Sequence, residues 1–276
     1  MSILRVDGAD LSYQTHGRGP PMLLMSGTAC DGRFWRPYQV PEFSRNYTVV
    51  TYDQRGTGDT VARDADYATS VLAADAAALI RHLDRGPAVI VGHSMGGRVA
   101  QLVALDHGDC VDRLILASSG AAFKAKGGLP PALCLGIINK GYENYIRDHL
   151  IKIGFSRDLA REHPERVREC VDIILGSLPP IETYFALVMA RQQHDTTERL
   201  KDIRVPTLVL VGGDETHGPS DTTHMESARL LAERIPKAEF EIIEGQGHFY
   251  FFSAPELTHE AIRRFLNKRS GGRKPF

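Results

Sequence analysis

Cysteine and tryptophan are scarce in this chain: 276 residues carry four Cys and one Trp. Cys30, Cys110, Cys134 and Cys170 lie far apart with no C-x-x-C spacing. That excludes a zinc ribbon and a disulfide-stapled scaffold, and leaves four reduced thiols and no metal site as the expectation. A surplus of either charge is also missing, with 33 Lys and Arg against 34 Asp and Glu. Nucleic-acid-binding domains carry a basic excess, so no nucleic-acid partner is expected. No apolar run approaches the roughly 20 residues that span a bilayer, so no membrane segment is expected. The opening MSILRVDGAD has no basic stretch leading into an apolar one. No signal peptide is therefore expected, and the reading is of a cytoplasmic protein.

What is present is ordinary globular material: 42% apolar and 24% charged residues, enough to bury one large α/β core. Short extended segments are predicted over 3–6, 11–15 and 22–25, close enough in sequence to form antiparallel hairpins. A fourth strand follows over 47–52. The pattern then alternates: helix 71–83, strand 88–91, helix 95–106, strand 114–117, and later strand 206–212, helix 228–235, strand 238–243 and helix 254–267. Strand–helix alternation of this kind predicts a doubly wound, mostly parallel sheet. It is interrupted over 122–203, where helical periodicity and Pro and Gly breaks point to a helical cap. The division expected is a core of 1–121 and 204–276 with a cap of 122–203. The basic, glycine-rich tail 268–276 is expected to fray.

The densest chemical signal is Gly92-His93-Ser94-Met95-Gly96, between an apolar strand and a helix. In G-x-S-x-G a serine occupies a tight strand-to-helix turn that pushes its hydroxyl outward, with the helix N-terminus beside it. A serine hydroxyl needs a base to take its proton. Of eleven histidines, His248 stands in Glu244-Gly245-Gln246-Gly247-His248, directly after the last strand, where loops at the C-terminal edge of a parallel sheet collect active-site groups. His93 is set aside because adjacent residues on so tight a turn point apart. His16, His82, His107, His149, His163, His194 and His259 read as surface or packing residues. The base in turn needs a carboxylate, and the strand 205–212 empties into Asp214-Glu215. Both are candidates, with Asp221 next in line.

Together with Tyr52-Asp53-Gln54-Arg55-Gly56-Thr57-Gly58, the Pro-Thr-Leu-Val-Leu-Val-Gly strand before the acid loop, and Gly247-His248 followed by Pro255-Glu256, these motifs resemble the α/β-hydrolases over nearly the full chain. The resemblance implies that fold and a Ser…acid…His order. It places the acid three residues after Gly212, at Glu215, with Pro219 at the family's proline position; Asp214 is the alternative. It also implies backbone oxyanion donors at Thr28 and Met95, although Ser26-Gly27-Thr28 stands where the family has His-Gly-x. Several lactone- and amide-cleaving relatives also lack that histidine. Asp53 and Arg55 read as braces for their loop. Phe34 and Trp35 are candidates for the acyl pocket or, equally, for the core, and Leu133, Ile137, Ile138, Tyr184, Phe185 and Val188 for a substrate roof.

The expected activity is serine hydrolysis of a small, mostly apolar carboxylic ester or lactone, with no cofactor, by a monomer or homodimer. Two rivals stand beside it. One is C–C bond hydrolysis or perhydrolysis on the same triad, with Arg33, Arg98, Lys124 or Arg191 holding a substrate carboxylate. The other is a ligand-binding relative with little turnover.

Overall fold

The computed structural model describes residues 1–64, 66–123, 128–215 and 223–268. Lys124, Pro219, Asp221 and the tail from 269 onward lie outside them. The strands are β1 (Ser2–Val6), β2 (Ala9–His16), β3 (Pro21–Met25), β4 (Thr48–Tyr52), β5 (Val61–Ala62), β6 (Ala88–His93), β7 (Val111–Ala117), β8 (Thr207–Gly212) and β9 (Glu239–Ile243). The helices are α1 (Gln39–Phe43), α2 (Thr69–His82), α3 (Met95–Asp106), α4 (Pro131–Lys140), α5 (Tyr142–Gly154), α6 (Arg157–Glu162), α7 (Pro164–Leu175), α8 (Ile181–Gln193), α9 (His224–Arg234), α10 (Tyr250–Ser253) and α11 (Pro255–Leu266).

One mixed sheet runs β1-β2-β4-β3-β6-β7-β8-β9, with the short β5 paired to β2. From β4 to β9 every pairing is parallel. The residues of β3, β4, β6 and β8 are buried throughout. Continuous burial, in place of alternation, is the mark of parallel strands covered on both faces.

The expected run of three hairpin strands needs correction. β1 and β2 do pair antiparallel, but β3 pairs parallel with β4 and β6. β4 has entered between β2 and β3. The physical reason was written in Pro21-Met22-Leu23-Leu24-Met25, which has no polar alternation and so needs cover on both faces.

Between β7 and β8 the described chain is helical, α4 to α8, as the interrupted alternation led us to expect. The two ends of this cap meet. Ala122 bridges Asp195, and the Thr196 amide donates to the Ala121 carbonyl at 3.0 Å. No described helix is long and apolar enough to cross a membrane.

Because β3 and β6 to β9 run parallel, the loops leaving them open on one edge of the sheet. They carry Thr28, Ser94, Ser118, Glu215 and His248 in turn.

Candidate active site

Ser94 links β6 to α3 in a conformation that L residues avoid, φ 55° and ψ −115°. Such backbone costs on the order of 1–3 kcal/mol and persists only where its surroundings fix it. Here they do. The Ser94 amide donates to Ala117 at 2.9 Å, and its carbonyl accepts from Gly97 N–H at 3.1 Å and from the Ser119 hydroxyl at 2.9 Å. The flanking glycines are steric necessities. A Cβ on Gly92 would lie 2.5 Å from the Gly96 carbonyl oxygen, and one on Gly96 would lie 2.2 Å from that of Met25.

His248 is buried, and its Nδ1 lies 2.7 Å from Glu215 Oε2. A carboxylate can only accept, so Nδ1 carries the proton and Nε2 is left as a lone-pair base. Glu215, 2% exposed, is held at its other oxygen. Oε1 accepts from the Gly212 amide at 2.8 Å and from the Ser118 hydroxyl. The structure therefore brings Glu215 to the histidine, while the adjacent Asp214 is exposed to solvent. The His248 main chain is tied to the cap: its amide donates to Ile153, and that of Phe249 to Gly154, both at the end of α5. Burial first, then the electrostatic influence of the neighbouring His149 and of the Arg191 guanidinium, hold the His248 imidazole down at about 3.

Ser94 and His248 together line two adjoining cavities of about 70 and 180 Å³. Ile146, Leu150, Ile174 and Phe249 wall the first, with Gly27 and Thr28. Leu133, Tyr145 and His224 wall the second. Ile153, His149, Tyr184 and Arg191 face both. Among the described residues, the backbone N–H groups of Thr28 and Met95 donate no hydrogen bond. Met95 follows Ser94 and opens α3, so its amide is orphaned by construction, and Thr28 lines the first cavity together with Ser94.

Of the residues suggested for a roof, Leu133 and Tyr184 line these cavities, whereas Ile137, Ile138, Phe185 and Val188 do not. Phe34 and Trp35 do not line them either, which corrects the pocket reading. They are almost fully buried behind the site, Phe34 stacked on His93 at 5.3 Å and Trp35 edge-on to Phe251 at 4.9 Å. Being large, apolar and close in sequence to Ser26-Gly27-Thr28 placed them near the site but could not fix which side they face. Asp53 and Arg55 act as braces. Asp53 accepts from the amides of Gly32 and Asp59 at 2.9 Å, and Arg55 forks onto Asp75 at 3.0 Å.

Two histidines of the site escaped the sequence. His149, which its helix-face context assigns to surface or packing, lines both cavities. His224 stacks on His248 at 4.5 Å, with Nδ1 3.1 Å from the same Glu215 oxygen. Helical position alone carries no sign of such a partner.

Glu215, His224 and His248 offer three atoms within 4.8 Å of one another. Their spacing does not suit a metal shell. Two ligands of one tetrahedral zinc stand about 3.3 Å apart, from bonds of about 2.0 Å, whereas Glu215 and His248 approach to 2.7 Å. The pair is a hydrogen bond.

A profile of the alpha/beta hydrolase family matches residues 22–261. The RutD protein of Caulobacter vibrioides, whose name provisionally makes it a carbamate hydrolase, is 30% identical over 273 residues, 96% of this chain and 98% of that one. Est816, an N-acyl homoserine lactone degrading enzyme, superposes with a TM-score of 0.82 at 28% identity, covering 96% of this chain and all of its own. A thermophilic esterase from Thermogutta terrifontis superposes with a TM-score of 0.79 at 28% identity, covering 94% and 93%.

Proposed function

This chain belongs to the alpha/beta hydrolase family, and from that premise we propose that it hydrolyses a small, mostly apolar carboxylic ester or lactone through an acyl-enzyme on Ser94. The observation that carries this reading is the buried Glu215–His248 pair at 2.7 Å, opening on the same cavities as a serine held in a strained turn.

In this mechanism the Ser94 hydroxyl oxygen attacks the substrate carbonyl carbon as its proton passes to His248 Nε2. Glu215 fixes the tautomer and stabilises the imidazolium that forms. The carbonyl oxygen becomes an oxyanion, received by the Thr28 and Met95 amides, which need no reorganisation to meet it. The C–O bond to the leaving alcohol then breaks, and the alcohol oxygen takes the proton from His248. A water molecule, deprotonated in turn by His248, attacks the acyl carbon; Ser94 leaves with the proton and the acid is released.

Small apolar cavities favour a short substrate, and relatives named for lactone and ester cleavage support the substrate class. Replacing Ser94 by Ala should remove nearly all turnover of 4-nitrophenyl butyrate while leaving the circular dichroism spectrum unchanged. Near wild-type turnover by that variant would sink the proposal.

A further inference from the structure

Neither cavity wall includes an aspartate or glutamate among the described residues, and each has one permanently charged side chain, Arg191. Arg191 stands near the end of α8. Its Nη1 donates to the Thr28 hydroxyl at 3.2 Å. Its Nε is buried without a hydrogen-bond partner, and among the described residues Nη2 also donates to nothing. In a guanidinium, Nε–H and one Nη–H form the flat edge that matches the two oxygens of a carboxylate. That edge is the one left unused.

A second cation lies close behind. Arg98, one helical turn after Ser94, is 6% exposed, and its Nη1 has no partner. Both guanidinium groups lie against the ring of Phe123, Arg98 at 4.2 Å and Arg191 at 5.4 Å. Neither forms an ion pair with any described carboxylate, unlike Arg55, which takes Asp75 and Asp64. A buried cation is costly unless an anion or several acceptors compensate it. Burial pushes both arginines below the ordinary value, and Arg191 adds to the effect on Arg98. Two such groups side by side leave a pocket short of negative charge.

We propose that the substrate supplies it: the Nε–Nη2 edge of Arg191 binds a free carboxylate on the ester or lactone, with Arg98 reinforcing the field from behind Phe123. The proposal rests on the hydrolase reading above. Because Arg191 also touches Thr28, the carboxylate would sit near the reacting carbonyl, which selects short acids over long-chain fatty esters.

Matched substrates test this without assuming which side of the bond carries the charge. 4-Nitrophenyl butyrate is compared with mono-4-nitrophenyl glutarate, and phenyl acetate with 4-acetoxybenzoate. The wild-type protein should favour the anionic member of at least one pair in kcat/KM by roughly ten- to hundredfold, the range of a hydrogen bond to a charged group. Arg191→Gln should collapse that ratio, and Arg191→Lys should restore part of it. A purely structural role would lower both members alike and leave the ratio, which would overturn the proposal. So would the absence of any anionic preference in the wild type.

A second measurement separates this from failure of the hydrolase reading. Ser94→Ala is titrated calorimetrically with glutarate and with benzoate. Saturable binding that is lost when Arg191→Gln is added upholds the anion site even if no ester is turned over. If no ester is turned over and neither acid binds, the anion site falls with the hydrolase reading.

Discussion

The imidazole of His93 holds up the main chain of His248: its Nε2 lies 2.9 Å from the His248 carbonyl oxygen, and the rings sit 4.6 Å apart. A carbonyl only accepts, so Nε2 carries the proton and Nδ1 is bare. Changing His93 to Phe keeps the stack on Phe34 and deletes that bond. We expect kcat/KM for a short ester to fall roughly two- to tenfold, the scale of one neutral hydrogen bond. Undiminished kcat/KM in a variant with native circular dichroism would show the bond to be idle.

The two carboxylates of the acid loop make opposite predictions. Glu215→Gln should cost about four orders of magnitude in kcat, the scale seen when a triad carboxylate is neutralised. Asp214→Asn should stay near wild type, because that side chain is exposed to solvent. Equal and mild losses in both would remove Glu215 from the mechanism.

Acid should unfold this protein at milder pH than it stops the chemistry. Burial depresses His93, His194, His224 and His248 to about 3 and His149 to about 4, from an ordinary 6.5. Between those limits the unfolded chain binds protons that the folded chain refuses, so folding stability is whole above 6.5 and drains away as pH falls towards 4. The Tm measured from pH 7.5 down should decline steadily below 6.5. Initial rates on the still-folded enzyme should hold their plateau to about pH 5, since His248 remains an unprotonated base. A flat Tm with a rate falling near 6.5 would contradict both halves.

Gly96→Val tests the elbow. Its Cβ would lie 2.2 Å from the Met25 carbonyl oxygen and 2.6 Å from that of Ser26, both main chain at the end of β3. Overpacking against backbone should cost about 1–3 kcal/mol or more, read as a lower urea midpoint, with kcat falling as Thr28 and Ser94 are pushed apart. An unchanged midpoint would mean that the strand end yields freely.

Ser94, His248 and the order of their loops were legible because tight turns and sheet-edge loops leave local marks: paired glycines, a strand before, a helix after. The choice of Glu215 over Asp214 was less so, because two adjacent carboxylates differ only in which way one turn points them. What gathers the Glu215 carboxylate is the Gly212 amide, three residues back, and the Ser118 hydroxyl, which is distant in sequence and leaves no local mark. Phe34, Trp35, His149 and His224 show the limit more sharply. Periodicity tells whether a side chain faces inward, but not whether the interior it meets is packed core or open cavity. The parallel pairing of β3 lay between these cases, visible in its composition yet masked by its closeness to β2.

The bridge from Ala122 to Asp195 makes the intervening helices an excursion that departs and returns at one spot. A loop with its ends already joined changes length cheaply; each doubling adds only about 0.6 kcal/mol of closure entropy. The lid is in that sense an exchangeable cassette. Mutation can lengthen, shorten or rewrite it, and so retune what enters the cavities. The part to be spared is the end of α5, whose Ile153 and Gly154 carbonyls hold the main chain of His248 and Phe249, while Ser94 and Glu215 are fixed from the sheet side.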